Sequence, residues 1–315
     1  GASTAANPVD PIYRSGAKIM GVSVRPPDKV WPENGVWSFR PNWSGPTGVL
    51  NDEHAQVWSA TKHIPGWQEQ ADSEKLYEMA YHNGAVILEI GVYGGRSAAV
   101  ELFGALRAKA DTGGPLPQYY GIDIAPAAMG RALASLAPHQ LLDHALLYCG
   151  DLVRFRYDVP ITPTMVFVDG DHSYPGAKAD LDLLQTFLAP STPVLCHDYS
   201  WIEGVQQAVR EAVAGGHYEL IGTFGASGLL RTTSRCTGQP VGLDPTVFAE
   251  VSQSIRDYYA KSDLASPDFN PAVTLANLTS PCRAPALDTT PWWRHAGRAV
   301  KRLLRQVGVP MGVRS

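Results

Sequence analysis

The sequence predicts an α/β fold in which a mostly parallel, seven-stranded sheet carries helices on both faces. Three observations lead to this. Short apolar runs alternate with segments of helical periodicity from residue 85 to residue 233. A glycine-rich turn, Gly91-Val92-Tyr93-Gly94-Gly95, leaves the first of those runs and opens a helix. Acidic residues stand at or just beyond the ends of later runs, at Asp123, Asp151, Asp169 and Asp198.

The elements follow in order. Residues 72–83 read as a helix, with Leu76, Tyr77 and Ala80 on one face and Asn83-Gly84 as its stop. Ala85–Ile90 is a short apolar strand, and Ser97–Ala110 a helix with Ala99, Leu102, Phe103, Leu106 and Ala110 on one side. Gln118–Ile124 is the second strand, followed by a helix near 126–136, and Ala145–Cys149 is the third. Met165–Val168 is the fourth strand, and the helix after it repeats Ala177, Leu181, Leu184 and Leu188. Pro193–Cys196 is the fifth, and its helix carries Ile202, Val205, Val209 and Ala212. Strands near 217–223 and 228–233 can close the sheet with an antiparallel end. Such alternation buries a parallel sheet on both faces, and its ligands belong at the carboxyl ends of the strands.

The flanks differ from this core. Residues 1–70 read as an irregular arm rich in aromatics, with Trp31, Trp37, Trp43 and Trp58 among prolines and glycines. Disordered segments are poor in aromatics, so the arm reads as ordered, suited to closing over a substrate or to subunit contacts. Residues 71–238 form the α/β domain, and residues 239–315 a helical C-terminal extension. The extension comprises a helix at 246–260, a Pro/Ser/Thr/Asn-rich stretch at 263–290 and an amphipathic helix at 292–307. The net charge is −4, but residues 291–315 hold six basic side chains and no acid, leaving 20 basic and 30 acidic in the rest. An acidic body argues against nucleic acid as the partner. No apolar run nears the ~18 residues that span a bilayer, and the first residues do not read as a signal peptide. Four cysteines do not suggest a disulfide framework, and Cys149 and Cys196 fall in apolar runs as buried thiols. The reading is a cytoplasmic homo-oligomer, a dimer, acting on a small-molecule or oligosaccharide partner.

The turn at residues 89–95 suits a nicotinamide dinucleotide, S-adenosylmethionine (SAM), or tight packing of strand on helix, because glycine allows sharp turns and close approach. The spacing is not GxGxxG, so a pyrophosphate cradle fits poorly. A carboxylate at Asp123 can accept hydrogen bonds from both hydroxyls of a ribose, and one at Asp151 from an adenine amino group. Each acid alone serves equally well as a helix cap; in succession after a glycine turn they point to a nucleoside. Asp169, Asp171, His172, His197 and Asp198 gather at the ends of the fourth and fifth strands. The plain alternative is helix capping and local hydrogen bonds. Ionisable groups so concentrated are costly to assemble without a use.

Glu89–Gly95 resembles the first motif of the class I SAM-dependent methyltransferases, which have a Rossmann-like fold, and Asp123 resembles their ribose acid. The stretch Phe167-Val-Asp-Gly-Asp-His-Ser-Tyr174, with His197-Asp198-Tyr199 and Gly204-Val205, resembles the group containing metal-dependent sugar O-methyltransferases of natural-product and polysaccharide pathways. The resemblance covers about residues 70–235. It implies SAM held by Glu89, Gly91, Tyr93, Gly95, Ser97, Asp123 and Asp151. It implies a divalent metal, Mg²⁺ or Mn²⁺, on Asp169, His197 and Asp198. It implies catalysis by His172 as general base beside Asp169, and a hydroxyl acceptor on a sugar or glycosylated molecule. The chain departs from the pattern at His197, where several relatives carry Asp or Glu. An imidazole suits manganese better than magnesium, or stands behind the ligands. The alternatives are a phenolic or catechol-like acceptor, a nicotinamide-dependent oxidoreductase and a non-catalytic binding protein.

Overall fold

The computed structural model describes residues 50–270, together with a two-residue antiparallel pair, Lys18–Ile19 with Val22–Ser23. The chain divides into two compact units, Gly1–Leu278 and Thr279–Ser315. Trp31, Trp37, Trp43, Cys282 and the helix expected at 292–307 lie outside the described residues.

Seven strands form one sheet: β1 Val86–Ile90, β2 Gln118–Asp123, β3 Ala145–Cys149, β4 Met165–Val168, β5 Pro193–Cys196, β6 Tyr218–Phe224 and β7 Ser227–Thr232. Their order is β3-β2-β1-β4-β5-β7-β6. The first five are parallel, β7 runs antiparallel to β5, and β6 and β7 form an antiparallel hairpin at the edge. This is the Rossmann-like arrangement found in methyltransferase folds, mostly parallel with one reversed strand.

Every residue of β1, β3, β4 and β5 is buried, which is why β3, β4 and β5 are continuous apolar runs and β1 is interrupted only by Glu89. The chain moves outward from β1 through β2 to β3, then returns to β4 and moves the other way. Right-handed crossovers in the two directions put helices on opposite faces. One group contains α1 (Asp52–Thr61), α2 (Gln70–Asn83), α3 (Arg96–Thr112) and α4 (Pro126–Leu136), packed on one another; α6 (Tyr174–Leu184) and α7 (Glu203–Ala214) form the other. The switch of direction between β1 and β4 opens a crevice at their carboxyl ends, where such sheets bind ligands.

Two helices were not foreseen. Helix α1 lies in the stretch read as irregular. It is nucleated by Asn51, whose side chain accepts the His54 N–H, and it buries only His54, Val57 and Thr61. A stripe that polar and narrow leaves little periodicity to see. Helix α5 (Leu152–Asp158) follows β3, has seven residues and buries only Leu152 and Phe155. Helix α8 (Pro245–Lys261) packs against β3, where the Tyr259 hydroxyl donates to the Leu147 carbonyl (3.0 Å) and accepts from the Cys149 N–H (3.2 Å). Cys149, Cys196 and Cys236 are free and buried. Among the described residues no helix is long and apolar enough to cross a membrane.

Candidate active site

A cavity of about 630 Å³ opens at the carboxyl ends of β1 to β5, within the size range of small-molecule sites. One half is built on the glycine turn. Gly91 has φ +94°, and a Cβ there would lie 2.0 Å from the Asp169 carbonyl oxygen. Glycine is therefore required by the protein's own backbone, where the exits of β1 and β4 touch, and not only by approach of a ligand. Tyr93 takes a left-handed φ of 46°, and its N–H donates to Asp123 Oδ2 (3.0 Å). Asp123 Oδ1 accepts from the Ala125 N–H (2.8 Å). Each carboxylate oxygen keeps a lone pair for a donor in the cavity. Ser97 and Asp151 also reach the wall, although Asp151 Oδ1 accepts from the Arg154 N–H (2.7 Å) as the cap of α5.

Glu89 and Gly95 are placed differently. Gly95 caps α3 at φ 83° and packs against Ala132 of α4, off the cavity wall. Glu89 is fully buried beneath the turn, where its carboxyl accepts hydrogen bonds from Ser97 and Tyr119. Burial pushes its pKa up to about 8, and burial beside Glu89 raises that of Glu101 well above the carboxylate range. These contacts make Glu89 a support for the turn through Ser97.

The other half collects Asp169, His172 and Asp198. Their donor atoms all lie within 4.8 Å of one another. His172 Nε2 is 3.1 Å from Asp169 Oδ1 and its Nδ1 is 3.4 Å from Asp198 Oδ2. Asp198 stands at φ 56°, a strained conformation for a non-glycine residue. Ser173 caps α6, accepting the Gly176 N–H, and so holds the loop that carries His172. Asp171 also lines the cavity, and its Oδ1 accepts the Ser173 N–H (2.9 Å) in a local turn.

His197 is not level with these three donors but lies behind them. It is buried, with Nδ1 3.2 Å from Asp169 Oδ1 and 3.4 Å from Asp198 Oδ1, and Nε2 3.7 Å from Asp72 Oδ2, long for a hydrogen bond. Burial opposes its charge, but the three carboxylates outweigh burial and push its pKa up to about 12. The hydrogen bond to Asp169 raises the pKa of His172 against the opposing effect of burial, and the one to His197 lowers that of Asp198. The cluster of two carboxylates and one imidazole suits a divalent ion that accepts nitrogen.

Several residues here had no sequence signal. Asp72 sits near the start of α2, buried; its Oδ1 accepts from the Ser227 N–H (3.1 Å) and hydroxyl (2.6 Å), tying α2 to the β6–β7 turn and to His197. Asp180 of α6 lines the cavity, and burial lifts its pKa to about 6. The loop 65–68, with Trp67, forms another part of the wall. Only tertiary contact brings these residues to the site.

Residues 88–199 match the family model described as a methyltransferase domain, a segment that runs from β1 to just beyond β5 and holds both halves of the cavity. A comparison with curated proteins gave no match. Among solved structures, the chain is similar to an O-methyltransferase from Bacillus cereus in complex with S-adenosylhomocysteine (13% identity, TM-score 0.45, 58% of this chain and 90% of that one). It is similar to an O-methyltransferase of tomaymycin synthesis from Streptomyces achromogenes in complex with SAM (17%, TM-score 0.43, 58% and 88%). It is also similar to an S-adenosylhomocysteine-bound methyltransferase from Podospora anserina (17%, TM-score 0.44, 59% and 89%). The fold assignment of this chain rests on its own strand order and its reversed β7.

Proposed function

We propose that this chain is a SAM-dependent O-methyltransferase that methylates a hydroxyl of a sugar or glycosylated acceptor, assisted by a divalent metal. The observation that carries this is one cavity with two halves. A nucleoside-binding half is built from the Gly91–Tyr93 turn, Asp123 and Asp151, and an acid–base half from Asp169, His172 and Asp198. The likeness of the Asp169–Tyr174 stretch to sugar O-methyltransferases supports the acceptor class. SAM supplies a methyl group already activated on sulfonium, so the chain needs no nucleophile of its own.

The residues divide the work. Asp123 receives the ribose hydroxyls on its free lone pairs, while the Tyr93 N–H fixes its orientation. Asp151 reads the adenine edge. Asp169 and Asp198 would hold Mn²⁺ or Mg²⁺, which would lower the cost of ionising an acceptor hydroxyl, with the His197 ring against both carboxylates. His172 takes the hydroxyl proton, its half-exposed ring reaching the cavity from the loop after β4. The cavity walls would exclude water and position the acceptor hydroxyl beside the cofactor.

A second reading for His172 is favoured by one observation: both ring nitrogens face carboxylates, the placement of a third metal donor. Turnover of labelled SAM over a panel of sugars, glycosides and catechols tests the function, and Mn²⁺ titration of His172→Ala separates base from ligand. A base variant keeps its metal affinity and loses rate; a ligand variant loses both. No labelled product with any hydroxylated acceptor would refute the methyl-transfer reading.

A further inference from the structure

Trp67 stands on the cavity wall yet is 76% exposed, a costly position for an indole that has no partner to meet. It stacks on Tyr93 of the glycine turn, ring centroids 5.5 Å apart and planes 26° from parallel. The Arg131 guanidinium lies over the same Tyr93 ring, 4.7 Å from its centroid.

The loop that bears Trp67 is fastened on both sides. Arg96 donates to the Ile64 carbonyl (2.7 Å) and the Lys62 carbonyl (2.8 Å). A Cβ on Gly94 would meet the Pro65 carbonyl oxygen at 2.2 Å, so the loop lies directly on the glycine turn. Downstream, the Glu69 N–H donates to Asp72 Oδ2 (2.8 Å), the same oxygen that faces His197. The loop is therefore fastened between the glycine turn and Asp72, and the exposed indole borders the cavity.

We infer that Trp67, backed by Tyr93, is an acceptor subsite that selects a ring, whether an aromatic ring or the apolar face of a sugar. The inference rests on the methyl-transfer reading and names its substrate class. A flat ring stacks on an indole face; an open-chain diol presents no such face. The stack with Tyr93 fixes the plane of the indole before a ligand arrives, so little side-chain freedom is lost on binding.

The test is calorimetric titration into protein saturated with S-adenosylhomocysteine, using catechol, methyl glucoside and, as the open-chain control, propylene glycol. Parent, Trp67→Ala and Trp67→Phe are compared. At least one ring ligand should bind the parent and outcompete the open-chain diol. Trp67→Ala should weaken that binding about five- to tenfold, Trp67→Phe should keep most of it, and S-adenosylhomocysteine affinity should be the same in all three. Equal ring binding by parent and Trp67→Ala would overturn the subsite, as would no ring binding by the parent or equal binding of propylene glycol. Failure of S-adenosylhomocysteine to bind the parent would strike the methyl-transfer reading instead, and the ring titrations are then read on the protein alone. A ring ligand that binds but accepts no methyl group leaves the subsite standing and removes the reaction.

Discussion

Asp72, Asp169 and Asp198 surround the buried His197 and favour its charged form. Its folded pKa, about 12, lies far above the ordinary imidazole value of 6.5. A raised pKa gives stability that is complete below the unfolded value and fades as pH rises toward the folded one. In chelated protein, the stability gap between parent and His197→Gln should therefore be widest at pH 6 and shrink toward pH 10; a gap that is constant by thermal melts would contradict the ion cluster. Asp123 is a separate case, since each of its oxygens already takes one backbone N–H. Asp123→Ala should weaken SAM binding by about 1.5–3 kcal/mol, the range for a hydrogen bond to a charged group, and unchanged affinity in a folded variant would remove the ribose role. For His172, replacement by alanine should lower kcat by about 10²–10⁴ with SAM affinity kept, if it is the base. A base must be neutral, so parent activity should fall as pH drops through a pKa raised above 6.5. An acid limb below 6.5, or none, would assign the proton elsewhere.

At the scale of elements, the glycine turn and the loop after β4 meet through backbone. Gly91→Ala puts a side chain at positive φ and 2.0 Å from the Asp169 carbonyl. It should destabilise the fold and displace Asp169, whereas Gly113→Ala, also at positive φ but with nothing within 4 Å, pays only for its backbone. Melting temperatures of the two variants compare the effects; a loss at position 91 no larger than at 113 would mean that the strand exits can separate. What the sequence shows and hides also divides by element. The buried strands were legible because a parallel sheet covered on both faces demands unbroken apolar runs, as in Met165–Val168. Helix α1 was hidden because its buried face is three residues, two of them polar, and α5 because seven residues show no full period. The acids at strand ends were legible as a pattern. The roles of Asp72 and Trp67 were not, since each reaches the site from outside the motif segment through contacts that no spacing encodes. Glu89 belonged to the motif, but its burial under Ser97 and Tyr119 depends on packing.

For the whole molecule, the reversal of chain direction between β1 and β4 is what brings two chemistries to one opening. The half proposed for the nucleoside hangs from β1, β2 and β3, the half proposed for acid–base work from β4 and β5, and α6 closes one side. The metal part of the account makes its own forecast. Exhaustive chelation should abolish turnover and leave SAM affinity largely intact, with Mn²⁺ restoring the rate; full activity after chelation would take the ion out of the reaction. The central claim is that the cavity takes SAM rather than a dinucleotide. Isothermal titration of the purified chain with SAM and with NAD tests it most directly. The account predicts saturable binding of SAM, weakened in Asp123→Ala, and no heat of binding with NAD; binding of NAD with none of SAM would contradict it.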